Sequence, residues 1–109
     1  MEHNKLVRDN IPQIILNSGE KPIYYTLSEE EYKKELDKKL QEEVTEYLND
    51  DNVEEIADIV EVIQAILKQK QVSLEEFEKI RATKRAKRGG FDKRIFLERT
   101  IEKDRGEER

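Results

Sequence analysis

Two amphipathic segments joined by a short polar turn constrain this 109-residue chain. Residues 28–48 begin with Ser28 and Glu31, the capping-box pattern that opens a helix, and continue with apolar residues at helical spacing. Residues 53–69 repeat apolar residues in the same way, and residues 49–52 separate the two segments. A turn this short makes consecutive helices antiparallel neighbours. The sequence therefore predicts a helical hairpin.

Shorter elements precede the hairpin. Asn10 is placed to cap a short helix that has Pro12 in its first turn, and Gly19 is a suitable stop. Residues 22–27 are rich in β-forming residues and are expected to be either an extended connector or a short strand. A strand would need a partner, and the segment after Gly90 is the candidate.

A further helix follows the hairpin. Ser73 and Glu76 form a second capping box, and a pair of glycines ends the helix that it opens. Residues 91–101 are expected to pack on the body as an extended tail, and residues 102–109 are predicted to be a charged, disordered end. The sequence thus predicts one helical domain over residues 1–101.

The supply of apolar residues is small for a chain that must bury its own core. Hydrophobic residues make up 35% of the sequence and charged residues 43%. Short helical chains with few apolar residues often complete their core by association. We therefore predict an all-α fold in which the hairpin and its flanking helices complete a four-helix-bundle-type core in a homodimer or homotetramer.

Composition also excludes several classes of function. The net charge of −5 argues against nucleic acid as a general partner. Since the chain has no cysteine, it has no disulfide framework, thiol nucleophile or thiolate metal site. No secretory signal or membrane-spanning run is visible, so we expect a cytoplasmic protein without a membrane partner.

The middle of the chain is strongly acidic. Residues 42–61 contain nine acidic residues and no basic one. Two pairs have a spacing of three residues, Glu43 with Glu46 and Glu55 with Asp58. Each spacing places two carboxylates about one turn apart on a helix surface.

Helical wheels separate these acids into two groups. Glu43 falls within the apolar stripe of the first hairpin helix and Glu55 within that of the second, and Glu46 and Asp58 fall at the edges. The polar sides carry Glu42, Glu54 and Glu61. An ionised carboxylate in an apolar environment must be paired, protonated or metal-bound, and no lysine or arginine on either helix is expected to be near enough to neutralise Glu43 or Glu55.

Carboxylate oxygens at this density suit Mg²⁺ or Mn²⁺ better than zinc. Magnesium held by carboxylates usually acts on phosphates. The acidic pairs therefore indicate a divalent metal site for phosphate chemistry. Two alternatives stay open, because acid-rich helices are often solvated faces: a non-catalytic helical interaction module, and a nucleotide sensor that keeps the metal site.

The acidic motifs resemble a known signature. Residues 42–46, Glu-Glu-Val-Thr-Glu, and residues 55–58, Glu-Ile-Ala-Asp, are similar to the E-x-x-E…E-x-x-D signature of the MazG-like, all-α nucleotide pyrophosphohydrolases. Residues 5–12, Lys-Leu-Val-Arg-Asp-Asn-Ile-Pro, and residues 88–91, Arg-Gly-Gly-Phe, resemble the small phosphoribosyl-ATP pyrophosphohydrolase-like branch of that superfamily. The resemblance covers about residues 4–98.

This resemblance implies Mg²⁺-dependent hydrolysis of a nucleoside triphosphate, or a related nucleotide, to a monophosphate and pyrophosphate. It implies a set of four metal ligands, one of which would act as the base for an attacking water: Glu43, Glu46, Glu55 and Asp58. Charge and the flanking motifs add four candidates for phosphate contacts: Lys5, Arg8, Lys84 and Arg88.

The second motif also departs from the histidine-pathway enzymes of the superfamily. There it continues with a Tyr-His pair, whereas here it continues with Ile59 and Val60. The resemblance therefore favours housecleaning of the nucleotide pool over hydrolysis of phosphoribosyl-ATP.

Overall fold

Four α-helices make up the regular structure of this protein in a computed structural model, which describes residues 1–103. None of these residues forms a strand, so the all-α fold class is confirmed. The helices are α1 (Ile11–Asn17), α2 (Glu29–Asp50), α3 (Val53–Gln69) and α4 (Leu74–Arg88).

Side-chain caps begin both helices of the hairpin. At the start of α2, Ser28 Oγ accepts a hydrogen bond from the Glu31 backbone N–H at 3.2 Å, and the Glu31 carboxylate accepts one from the Ser28 N–H at 3.2 Å. At the start of α3, Asn52 Oδ1 accepts from the Glu55 N–H at 3.1 Å. Between the helices Asp51 adopts the left-handed conformation, with φ of 50°. The chain thus reverses within two residues.

The Asn52 cap has a measurable consequence for stability. Asn52→Ala removes the acceptor for the Glu55 N–H and is expected to destabilise the fold by about 1 kcal/mol. The melting temperature should fall by about 4–8 °C in a thermal scan. Asn49→Ala is the matched control, because Asn49 lies exposed in the last turn of α2. Equal melting temperatures for the two variants would refute the role of the cap.

The core between α2 and α3 is small. The two helices pack against each other, and Leu36 and Val62 are the buried hydrophobic residues of the described chain, at 3% and 9% exposure. Apolar side chains at the closed end and along the hairpin stay largely exposed in the single chain: Val44, Leu48, Val53, Ile56 and Val60. This agrees with the small apolar supply read from the composition.

For the segments before α2, the structure corrects the prediction for Asn10 and decides between the two alternatives for residues 22–27. Asn10 occupies the N-cap position of α1, but its side chain makes no capping hydrogen bond. Its backbone is helical, with φ of −89° and ψ of −3°, rather than in the extended region usual for an N-cap. Residues 22–27 are a connector and not a strand, because β-forming residues build a strand only where a neighbouring strand exists.

The prediction for residues 91–101 is also corrected. The segment has no regular secondary structure beyond turns and a bend, and its large apolar side chains are exposed rather than packed: Phe91, Ile95, Phe96, Leu97 and Ile101. Sequence hydrophobicity indicated burial here, but the single chain offers no helical period or strand pairing that would hold this segment against a core.

The chain divides into two compact units, Met1–Phe77 and a second unit that begins at Glu78. The hairpin and α1 belong to the first unit. The single domain over residues 1–101 stays a prediction, and residues 104–109 of the predicted tail lie outside the described residues. Within residues 1–103 no helix combines the length and apolar character needed to cross a membrane.

Candidate metal centre

Three carboxylates meet across the hairpin. Glu43 comes from α2, and Glu55 and Asp58 come from the first turns of α3. One oxygen atom of each lies within 4.8 Å of the others. Glu55 and Asp58 share a face of α3 because they are three residues apart, and the antiparallel hairpin brings Glu43 opposite them.

Two oxygen atoms of this group are buried without a partner. Glu43 is only 6% exposed and is the buried charged residue of the described chain. Glu43 Oε2 and Glu55 Oε2 are both inaccessible to solvent and accept no hydrogen bond from residues 1–103. Because a buried carboxylate oxygen without a donor is costly, these atoms are the natural place for a bound cation.

Burial and charge act together on these acids. Burial raises the pKa of Glu43; the nearby Lys39 opposes this effect, and the charges of Glu46 and Asp58 add to it. Burial also raises the pKa of Glu55, and four neighbouring carboxylates, Glu46 first among them, raise it further. Both acids are therefore easier to keep charged when a cation is bound beside them.

Glu46 lies beside the three converging acids but outside their closest grouping. It is half-buried, and its charge raises the pKa of both Glu43 and Glu55. Its carboxylate oxygens are not among those that approach within 4.8 Å. The structure thus brings together three of the four predicted ligands and leaves Glu46 near them.

The acids facing solvent are where the helical wheels place them. Glu54 and Glu61 are both exposed, although they belong to the same helix as Glu55 and Asp58. The dense acidic stretch is therefore divided by the helical period into a converging group and a solvated group.

The expectation that no lysine or arginine of the two hairpin helices lies near enough to neutralise Glu43 is wrong, because Lys39 of α2 lies beside it. Lys39 Nζ lies 3.3 Å from Glu43 Oε1 and 2.7 Å from Glu42 Oε2. Arg8 Nη2 lies 2.5 Å from Asp58 Oδ1. Lys39 precedes Glu43 by four residues, and this spacing in a sequence indicates an ion pair on a helix. Arg8 reaches Asp58 across fifty residues of sequence.

The second N-terminal cation is also engaged by an acid. Lys5 Nζ lies 3.0 Å from Glu42 Oε1. Burial pushes the pKa of Glu42 upwards, but hydrogen bonds from Lys39 and Lys5 outweigh it, so the pKa of Glu42 lies below its ordinary value. Lys5 and Arg8, predicted as phosphate contacts, thus hold carboxylates in this structure.

The remaining candidates for phosphate contacts belong to the second unit. Lys84 and Arg88 lie in the C-terminal half of α4, and both are exposed. Their contribution to phosphate binding stays a prediction.

Comparisons with known proteins find a match that covers only part of this chain. No family model matches this chain, and no solved structure matches it. An uncharacterized protein of Mycolicibacterium smegmatis is 55% identical to the chain over 42 residues. The match covers 38% of this chain and 43% of that protein, so the chain spans less than half of the relative's length. The resemblance to MazG-like enzymes stays a prediction.

The donor set fits a hard divalent cation. All three converging groups offer carboxylate oxygen, and two of the buried oxygens lack a donor. Oxygen ligands of this kind are those that Mg²⁺ and Mn²⁺ prefer in proteins. Glu43, Glu55 and Asp58 are the residues that would hold such an ion.

Proposed function

We propose that this protein is a Mg²⁺-dependent nucleotide pyrophosphohydrolase that serves in housecleaning of the nucleotide pool. Its substrate would be a nucleoside triphosphate or a related nucleotide, and its products a monophosphate and pyrophosphate. The observation that supports this proposal is the meeting of Glu43, Glu55 and Asp58, two of which have a buried and unpaired carboxylate oxygen. Mn²⁺ would substitute for Mg²⁺ at such a site.

The residues of the site divide into ligands and a base. Glu43, Glu55 and Asp58 would hold the metal, which when bound polarises phosphate oxygens and lowers the pKa of a nearby water. Glu46 lies next to this group without joining its closest contact, and we assign to it the role of base for the attacking water. The water oxygen would bond to phosphorus, the α–β phosphoanhydride bond would break, and pyrophosphate would leave.

Cations of this chain would hold the phosphates. Lys5 and Arg8 lie against acids of the hairpin, Arg8 at an acid of the converging group itself. Charge-assisted hydrogen bonds from such groups are the usual means of holding phosphate oxygens. Lys84 and Arg88 are proposed for the outer phosphates on their charge.

Self-association is part of this proposal. The exposed apolar residues of the hairpin lie on the same two helices as the carboxylates. A core with two buried apolar residues among residues 1–103 is small for an independent domain. A homodimer or homotetramer would cover these side chains and complete a four-helix-bundle-type core.

A nucleotide panel assayed for pyrophosphate tests the proposed reaction. With Mg²⁺ we expect release of pyrophosphate from at least one nucleoside triphosphate or related nucleotide, and no release when the metal is removed by a chelator. Glu54→Gln is the matched variant, because it removes an exposed charge next to Glu55, and it should retain full activity. No release from any nucleotide would overturn the enzyme assignment.

Thermal melting in the same solutions separates the two non-catalytic alternatives. A ligand raises the melting temperature only of the state that binds it. A rise that needs both metal and nucleotide, without turnover, would identify a nucleotide sensor. Absence of any nucleotide effect would identify an interaction module whose acids bind cations or a basic partner.

A further inference from the structure

Two cations of this chain lie against the oxygens that a metal would require. Arg8 Nη2 lies 2.5 Å from Asp58 Oδ1, and Lys39 Nζ lies 3.3 Å from Glu43 Oε1. The other oxygen of Glu43 stays buried without a partner. Each cation therefore neutralises one converging carboxylate in part and leaves the group as a whole acidic.

Neither cation is fully committed to its carboxylate. The Arg8 side chain is 55% exposed and donates one hydrogen bond to the described residues, so most of its five N–H donors remain available. Lys39 is shared between Glu43 and the neighbouring Glu42. Its Nζ lies closer to Glu42 Oε2, at 2.7 Å, than to Glu43 Oε1. Arg8 can leave Asp58 without giving up a buried position. Lys39 can leave Glu43 and still keep its ion pair with Glu42.

We propose that Arg8 and Lys39 exchange partners when the site fills: they neutralise Asp58 and Glu43 in the metal-free protein, and turn to the phosphates of the substrate once a metal binds. This inference rests on the metal site of the proposed function. It assigns a phosphate-binding role to Lys39, which is not among the candidates for phosphate contacts predicted from the sequence. The ligand class that both cations would meet is a nucleotide polyphosphate or pyrophosphate.

The exchange gives the two cations opposite effects on two ligands. Without phosphate, a positive charge beside the carboxylates repels an incoming metal. With metal bound, the same charge attracts and hydrogen-bonds the phosphate. Removing one cation should thus tighten binding of metal alone by about three- to tenfold at moderate salt. It should weaken binding of phosphate to the metal-loaded protein by about tenfold.

The first measurement is a titration of the metal-free protein with Mn²⁺ alone, followed by electron paramagnetic resonance of the free ion. Arg8→Gln and Lys39→Gln are each expected to bind Mn²⁺ more tightly than the wild type. Arg8→Lys keeps the charge and should bring the affinity back toward the wild-type value, since Arg8 uses a single hydrogen bond to Asp58. Unchanged or weaker Mn²⁺ binding in both glutamine variants would overturn the proposal.

Lys34→Gln supplies the charge control. Lys34 pairs with Glu30 and precedes Glu43 by nine residues, about 13 Å along the helix axis, which exceeds the screening length at physiological salt. Its removal should leave Mn²⁺ affinity unchanged. A gain equal to that of Arg8→Gln would show a general effect of net charge and would also overturn the proposal.

The second measurement is a calorimetric titration of Mg²⁺-saturated protein with inorganic pyrophosphate. Arg8→Gln and Lys39→Gln should each weaken this binding, while Lys34→Gln should not. Pyrophosphate binding that is equal in all four proteins would refute the exchange. Both measurements record binding alone, so they decide this inference even if the nucleotide panel shows no hydrolysis.

Discussion

Replacing Glu43 with glutamine is expected to abolish pyrophosphate release while leaving the helices intact. The side chain keeps its size and loses its charge at the most buried position of the site. Mutation of a group that only supports a metal ligand typically lowers metal affinity or activity by about 10–100-fold. Loss of a charged ligand itself should therefore lower the rate of pyrophosphate release by more than about 100-fold. Steady-state kinetics with the best nucleotide of the panel measures this loss, and circular dichroism checks the helical content.

Glu55→Gln should have the same effect from the other side of the hairpin. Its Oε2 is the second buried oxygen without a partner. Glu61→Gln removes an equal charge from an exposed position on the same helix and should leave the rate unchanged. Full activity in either Glu43→Gln or Glu55→Gln would remove that residue from the site.

The metal-free protein should gain stability from the same Glu43→Gln change, by an amount that grows with pH. The pKa of Glu43 is raised above its ordinary value of 4.5, with burial as the first cause. Folded protein therefore keeps a proton at pH values where the unfolded chain has released it, and wild-type stability falls as pH rises through this window. Glutamine does not titrate, so the variant avoids the fall.

Thermal scans from pH 4.5 to 7.5 in the presence of a chelator measure this difference. The melting temperature of Glu43→Gln should approach that of the wild type at the acid end and exceed it at pH 7 by several degrees, on the order of 4 °C. Glu42, whose pKa is lowered, contributes stability above its ordinary pKa that is lost as pH falls. Because both proteins contain Glu42, that opposite contribution largely cancels.

With saturating Mg²⁺ at pH 7, the melting temperature of the wild type should exceed that of Glu43→Gln, which is the reverse of the order without metal. The wild type gains the binding energy of the ion, and the variant lacks a charged ligand for it. A difference that is constant across the pH range, or that narrows as pH rises, would contradict the assignment of a strained buried charge to Glu43. Such an outcome would leave the kinetic test of the site unaffected.

Much of the hairpin could be predicted from local signals. The Ser28–Glu31 capping box and the apolar period placed α2 at residues 28–48, and the helix runs over Glu29–Asp50. The same wheels placed Glu43 inward and Glu61 outward, as the structure has them. Helical period and capping depend on residues within a few positions of each other, so a sequence displays them directly.

The contacts from the N-terminal segment could not be predicted in this way. Arg8 meets Asp58 across fifty positions, and Lys5 meets Glu42 across thirty-seven. These distances depend on the path of a connector that has no period of its own. Lys39 is a different case, because it precedes Glu43 by four residues on the same helix, and this spacing is a local signal that a sequence displays.

The reversal at Asp51 ties the geometry of the site to the length of a two-residue link. Asp51 adopts the left-handed backbone conformation, and its N–H donates to the carbonyl of Tyr47 at 2.8 Å. The backbone of this short link is therefore fixed. One residue inserted in the first turn of α3, ahead of Glu55, would turn the face that carries Glu55 and Asp58 by about 100° about the helix axis and advance it by about 1.5 Å. Glu55 and Asp58 would then leave the face that Glu43 approaches, although each helix could still form. The phase between the two helices, more than either helix by itself, is what this turn preserves.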